Sequence, residues 1–145
     1  MADIIIVRSD EVESVLIPGT TEKEAGWLKR IMYPPRVNTK GSFLAVVEVS
    51  PGYSPHRWHR HARDKYEGYE VIYPKDFEEI YYIVRGSGVV QRKTEDGKIQ
   101  EEKVSAGDSI FFPADVPEHQ LLNTGTEKMF VVACGSPPPQ VNLTK

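Results

Sequence analysis

The chain has a single cysteine, Cys134, and no uninterrupted apolar run longer than a few residues. One thiol excludes an intramolecular disulfide framework and a cysteine-based structural zinc site. Cys134 reads as a small buried residue near a strand end, in keeping with a reducing, cytoplasmic compartment. The opening segment offers only Ile4, Ile5, Ile6 and Val7 behind an acidic Asp3, with no basic stretch, so neither a secretory leader nor a membrane span is expected there. Positive charge is not in excess: 18 Lys and Arg against 21 Asp and Glu leave a net charge of -3, which excludes a surface built to hold a nucleic-acid backbone. Nor is there room for an added helix-turn-helix module. A G-x-S-x-G nucleophile turn is absent, and Gly86-Ser87-Gly88 stands in a hairpin setting instead of before a helix, so it is no phosphate cradle. Sustained helical periodicity is missing too; Thr21–Leu28 has room for a turn or two.

What is present is a series of short segments rich in branched and aromatic residues. They run over 3–8, 13–17, 27–33, 43–49, 79–84, 88–93, 98–104, 108–112, 118–122 and 129–133. Turn residues close nearly all of them, among them Gly19, Pro34-Pro35, Pro51-Gly52, Pro74, Gly86, Gly107 and Pro113. About ten strands with almost no helix imply an all-β closed barrel or two-sheet sandwich, and a length of 145 residues is that of one domain. Asp96-Gly97 marks a tight hairpin between 88–94 and 98–104 with one wet face. The tail 135–145, with Pro137, Pro138 and Pro139, cannot supply a central strand because proline lacks the ladder N–H; it is expected as an extended segment or a dimer-contacting arm.

All four histidines fall in two segments, His56, His59 and His61 in one and His119 in the other. Imidazoles gathered with a carboxylate make a mixed N/O site for iron, manganese, nickel, copper or zinc. Alternation along a strand puts His59 and His61 on one face and His56 on the other, so His56 joins them only where Pro55 or a bulge breaks the phase. The competing explanation is a solvated basic strand flanked by Arg57, Arg60 and Arg63. Candidate carboxylates are Glu67, Glu70 and Glu79, the last at the start of a strong strand.

Two motifs add to this reading. Gly52 followed by His59-Arg60-His61, then Glu79 and Gly86, resembles the first signature of the cupin superfamily. Seventeen residues, 62–78, separate its second histidine from its glutamate, where the family has only a few. Gly107, Pro113, His119 and Asn123 resemble the second signature, with Asp115 where a glycine is usual. The pair, in this order, covers 52–123. The resemblance implies a double-stranded β-helix (jelly-roll) barrel over 1–145, with 62–78 as an inserted loop, and a metal ion held by His59, His61, Glu79 and His119. Such an ion keeps positions open for a small ligand.

The function implied is that of a metal-dependent cupin enzyme acting on a small organic molecule by dioxygenase, isomerase, decarboxylase or lyase chemistry, the alternative being a non-catalytic module that binds a small molecule or metal. Arg57 reads first as a surface cation and second as a partner for an anionic substrate, and Tyr81 shares the parity of Glu79. Tyr66, Tyr69, Tyr73 and Phe77 make the insertion either a lid over the pocket or a packed surface loop. The expected partners are a small molecule and a second copy of the chain, as in many cupins, with no nucleic acid and no membrane.

Overall fold

The computed structural model describes residues 3–143. Among these, the strands are β1 (Gly26–Met32), β2 (Phe43–Val49), β3 (Arg63–Tyr66), β4 (Tyr69–Ile72), β5 (Glu78–Arg85), β6 (Ser87–Lys93), β7 (Ile99–Ser105), β8 (Ser109–Phe112), β9 (His119–Asn123), β10 (Met129–Ser136) and β11 (Gln140–Leu143). The only helical turns among the described residues are two 3-10 turns, Ser9–Glu11 and Lys23–Ala25. No helix among them is long and apolar enough to cross a membrane.

Side-chain alternation along the strands builds the barrel. In β5, Glu79, Tyr81 and Ile83 are buried while Glu78, Ile80, Tyr82 and Val84 are exposed; in β9, His119, Leu121 and Asn123 are buried. A five-stranded antiparallel sheet in the order β1-β2-β10-β5-β8 packs against a three-stranded sheet in the order β7-β6-β9. Ala45, Val47, Val49, Ile83, Met129 and Val131 of the first sheet meet Leu121 of the second, with Val90 and Val104 beside them. This is a jelly-roll β fold, within the two-sheet class that the strand and turn signals implied and as the resemblance of the two motifs implied.

The hairpin expected around Asp96-Gly97 joins β6 to β7: Gly97 adopts a φ of 82°, and its N–H donates to the Thr94 carbonyl at 2.9 Å. At the β5 to β6 junction Gly86 has a φ of 96°, and a Cβ there would lie 2.9 Å from the Met129 Cα. The backbone thus requires glycine twice over, by conformation and by the close passage of β10.

Three expectations need correction. Residues 3–8 and 13–17 form no strand; Val15 makes an isolated bridge with Leu28, while Val7 and Val12 pack on the outer face of the large sheet against Trp27, Ile31 and Val46. Hydrophobic content there serves as a cover for a sheet face, a role that local pattern does not distinguish from a strand. The segment 62–78, read as an inserted loop, folds into the β3–β4 hairpin. The tail, read as an extended segment, contributes β11, which pairs with β4 after Pro139. The prolines still hold β11 to an edge, so the rule behind the expectation stands while the segment gains a strand. β11, β4 and β3 make a third small sheet whose Val71 and Val141, with Pro139 before it, line the inner cavity.

Candidate metal centre

His59 and His119 face each other across an isolated antiparallel bridge, each backbone N–H donating to the other's carbonyl at 3.1 Å. His119 opens β9 on the inward parity, and His61 follows two residues after His59. One ring nitrogen from each of His59, His61 and His119 lies within 4.8 Å of the others. Glu79, the first inward position of β5, places Oε1 3.4 Å from His61 Nε2. That separation is within ion-pair reach but lacks the alignment of a hydrogen bond, so His61 Nε2 is left without a hydrogen-bond partner.

The outer contacts fix how two of these rings are presented. His59 Nδ1 lies 2.7 Å from the Arg57 carbonyl and His119 Nδ1 lies 2.8 Å from the Pro117 carbonyl. A carbonyl only accepts, so both Nδ1 atoms carry the proton and both Nε2 atoms present a lone pair. Those two Nε2 atoms, and both ring nitrogens of His61, are buried without partners. Buried polar atoms are nearly always bonded, and a group of orphaned lone pairs facing one another fits a cation. The His59 and His119 rings are also held neutral. Burial above all, then the neighbouring His56, His119 and His61, keeps His59 well below the ordinary histidine range, and burial lowers His119 to about 4. Neutral imidazole is the form that ligates a metal.

His56 does not join the group. Its ring stacks on His59 with centroids 3.5 Å apart, but its Nε2 is taken by the Tyr66 hydroxyl and lies 3.5 Å from Asp64 Oδ2. Tyr66 in turn donates to Asp64 at 2.8 Å, so the hairpin braces His56, and His56 braces His59. Arg57 is exposed and lines surface grooves, not the inner cavity, as a surface cation does. Of the rival carboxylates, Glu70 sits 4.0 Å from Arg63 on the hairpin, and Glu67 lines a surface groove. Asn123 is buried and fully engaged: Nδ2 donates to the Val49 and Glu127 carbonyls at 2.9 and 3.0 Å, and Oδ1 accepts the Gly125 N–H at 3.0 Å. It pegs the turn between β9 and β10.

Within the insertion Tyr73 and Phe77 turn inward, whereas Tyr66 and Tyr69 stack on each other along a surface groove. Phe77 meets His61 edge-on at 4.8 Å and stacks on Phe43 at 5.5 Å, and Tyr73 lies 4.9 Å from His61. A cavity of about 60 Å³ is lined by Glu79, Tyr81, Tyr73, Tyr33 and Arg30 together with apolar side chains. Burial, reinforced by the Glu79 charge, raises the Tyr33, Tyr73 and Tyr81 hydroxyls above the ordinary tyrosine range, so all three stay protonated donors. Tyr33 and Arg30 escaped the sequence reading, although Arg30 carries a signal: it shares the parity of the core residue Leu28 on β1. A larger groove of about 660 Å³ between β7 and β8 touches His119 but none of the other three.

Residues 74–134 match the cupin domain family model. An uncharacterized protein of Methanocaldococcus jannaschii is 34% identical over 61 residues, which are 42% of this chain and 44% of that one, so the match spans less than half of either protein. Among solved structures, the polyketide cyclase RemF from Streptomyces resistomycificus aligns over 99% of this chain and 87% of its own, with 18% identity and a TM-score of 0.65. A predicted oxalate decarboxylase from Thermotoga maritima aligns over 91% and 98%, with 24% identity and a TM-score of 0.61. KdgF from Halomonas sp. aligns over 92% and 94%, with 16% identity and a TM-score of 0.61. At these identities the structures speak for the fold. The chain thus shares its jelly-roll fold with these structures, and its residues 74–134 are similar to the cupin domain family.

Proposed function

We propose that the protein is a metal-dependent cupin enzyme acting on a small organic molecule, with His59, His61, Glu79 and His119 as the metal ligands. The observation that carries this reading is the convergence of buried imidazole nitrogens that have no hydrogen-bond partner, beside one buried carboxylate. Iron, manganese, nickel, copper and zinc all accept such a donor set; any of them when bound polarises a coordinated oxygen or acidifies a coordinated water. The chain's own residues do the rest. The Arg57 and Pro117 carbonyls hold two rings in the metal-binding tautomer. Phe77 and Tyr73 pack on His61, and Val71 of the β3–β4 hairpin and Val141 of β11 line the cavity. Tyr33, Tyr73 and Tyr81 offer protonated hydroxyls to a ligand's oxygens. Isomerase, decarboxylase, lyase and dioxygenase chemistry all use these features, and the polyketide cyclase and predicted oxalate decarboxylase folds are compatible relatives.

The test is metal content by elemental mass spectrometry on protein purified without an affinity tag or added metal, beside a variant with His59→Ala and His119→Ala. Near-stoichiometric metal that vanishes in the variant is expected. Failure of the wild type to hold or take up any of the five metals sinks the metalloenzyme and leaves a barrel that binds small molecules.

The same reading places the protein in the cytoplasm as a homodimer, with neither nucleic acid nor membrane as partner. On the outer face of the large sheet, register sets Phe111, Ile80 and Cys134 in one row and Tyr82 beside Val132 in the next. The N-terminal segment covers the face over β1 and β2, whereas Ile80, Tyr82, Val84 and Phe111 stay exposed at 42 to 57%. An apolar patch of this kind marks a contact surface. Ile80→Asp is expected to yield a monomer in light scattering; a wild type that is already monomeric refutes the dimer.

A further inference from the structure

The inner cavity contains a charge that the metal reading does not use. Arg30 sits on β1 opposite Ala45, whose small side chain leaves room, and shares the inward parity of Leu28. Its guanidinium lies 5.6 Å from the centre of the Tyr69 ring and lines the cavity together with Glu79. Among the described residues Arg30 takes part in no ion pair, while Arg63 and Arg85 each have a carboxylate. Glu79 is the one carboxylate lining the cavity, and it is turned to His61. A partly buried guanidinium that has no ion-pair partner and faces a mostly apolar space favours an anionic ligand, and its planar fork matches a carboxylate better than any neutral group.

Size and hydrogen bonding narrow the ligand. At ~10–15 Å³ per water-sized unit, a cavity of about 60 Å³ takes about four to six non-hydrogen atoms. The three tyrosine hydroxyls lining it have no protein acceptor among the described side-chain hydrogen bonds and remain available as donors to oxygen. Charge points the same way. A divalent ion with Glu79 and Arg30 sums to a net charge of about +2, which an anionic ligand offsets and a neutral one leaves in place.

We infer that Arg30 is the specificity-determining residue of this site and that the substrate is a short carboxylate bearing a second oxygen function, its carboxylate on Arg30 and its other oxygen toward Glu79 and the histidines. This rests on the proposed metal site for the second contact, but the first contact belongs to the protein alone.

The experiment is calorimetric titration of the full chain with acetate, glycolate, oxalate and malonate, and with the amides of the same acids, for wild type, Arg30→Met and Arg30→Lys. Each protein is titrated as purified and after removal of metal, with metal content measured in parallel. At least one acid is expected to bind the wild type and its amide to fail. Arg30→Met is expected to weaken that acid about 10- to 100-fold, the worth of a charge-assisted hydrogen bond or two, with metal content unchanged. Arg30→Lys keeps the charge but not the fork and falls in between, and it decides the matter if Arg30→Met does not fold. Equal affinity in the Arg30 variants, equal binding of acid and amide, or no binding of any acid overturns the inference. A wild type that neither holds nor takes up any of the five metals yet still binds an acid through Arg30 would refute the metal centre and leave the carboxylate site standing.

Discussion

Acid should destabilise the metal-free protein through His119 in a way a metal ion suppresses. In the fold, burial lowers this imidazole from 6.5 to about 4, whereas in the unfolded chain it titrates near its ordinary value. As pH falls below about 6.5 the unfolded chain takes up the proton first, so stability is full above that pH and drains away as pH descends toward 4. At 1.36 kcal/mol per pKa unit the loss from His119 alone is about 2 kcal/mol at pH 5 and about 3 kcal/mol near pH 4. His59, also held below its ordinary range by burial, adds to it in the same direction. The perturbation is His119→Asn, whose amide keeps the donor to the Pro117 carbonyl and removes the titration. Urea unfolding of chelator-treated wild type and variant at pH 7, 6, 5 and 4 reads the difference. The wild type should lose about 2 kcal/mol more than His119→Asn between pH 7 and 5. Saturating zinc should move the loss to lower pH, since bound metal keeps the imidazoles unprotonated. Parallel stability curves for the two metal-free proteins would refute the reasoning, because they would mean that His119 is not buried in neutral form.

Replacing Asn123 by Ala removes two donors and one acceptor and leaves two buried carbonyls and an N–H with fewer partners; a loss of about 2–4 kcal/mol in chemical denaturation is expected, with the slope unchanged. Phe77→Ala empties a fully buried site between Phe43 and His61, so about 3–5 kcal/mol of stability should go, together with faster release of metal to a chelator than from wild type. Gly86→Ala meets both a positive φ and the Met129 backbone, and a drop of roughly 2 kcal/mol or more is expected; a thermal midpoint within a degree of wild type would show that the β5 to β6 junction is not so constrained.

Strand identity was legible wherever local pattern and tertiary role coincide. The segment 43–49 matches β2, and 79–84, 88–93 and 129–133 lie within β5, β6 and β10, because alternating apolar residues bounded by turn residues have only one good use in a barrel. Parity likewise put Glu79 and Tyr81 on the inner face and separated His56 from His59 and His61. The spacing of glycine, histidine and proline, through its likeness to the two cupin signatures, indicated His59, His61 and His119, which the fold gathers, and Glu79, which it sets 3.4 Å from His61.

The remainder depended on contacts between segments distant in sequence. Val7 and Val12 cover a sheet face instead of joining a sheet, while Ile4, Ile5 and Ile6 stay exposed, a choice made by where the uncovered side of β1 and β2 lies. The β3–β4 hairpin is polar and short, and it is held by β11 from the far end of the chain, so no local signal announces it. Arg30 looks like an ordinary charged strand residue until the fold sets it in the lining of a cavity whose one carboxylate, Glu79, is turned to His61. Composition and periodicity determine which residues face inward; only closure of the barrel decides which inward residues meet, and the chemistry of this protein lies in those meetings.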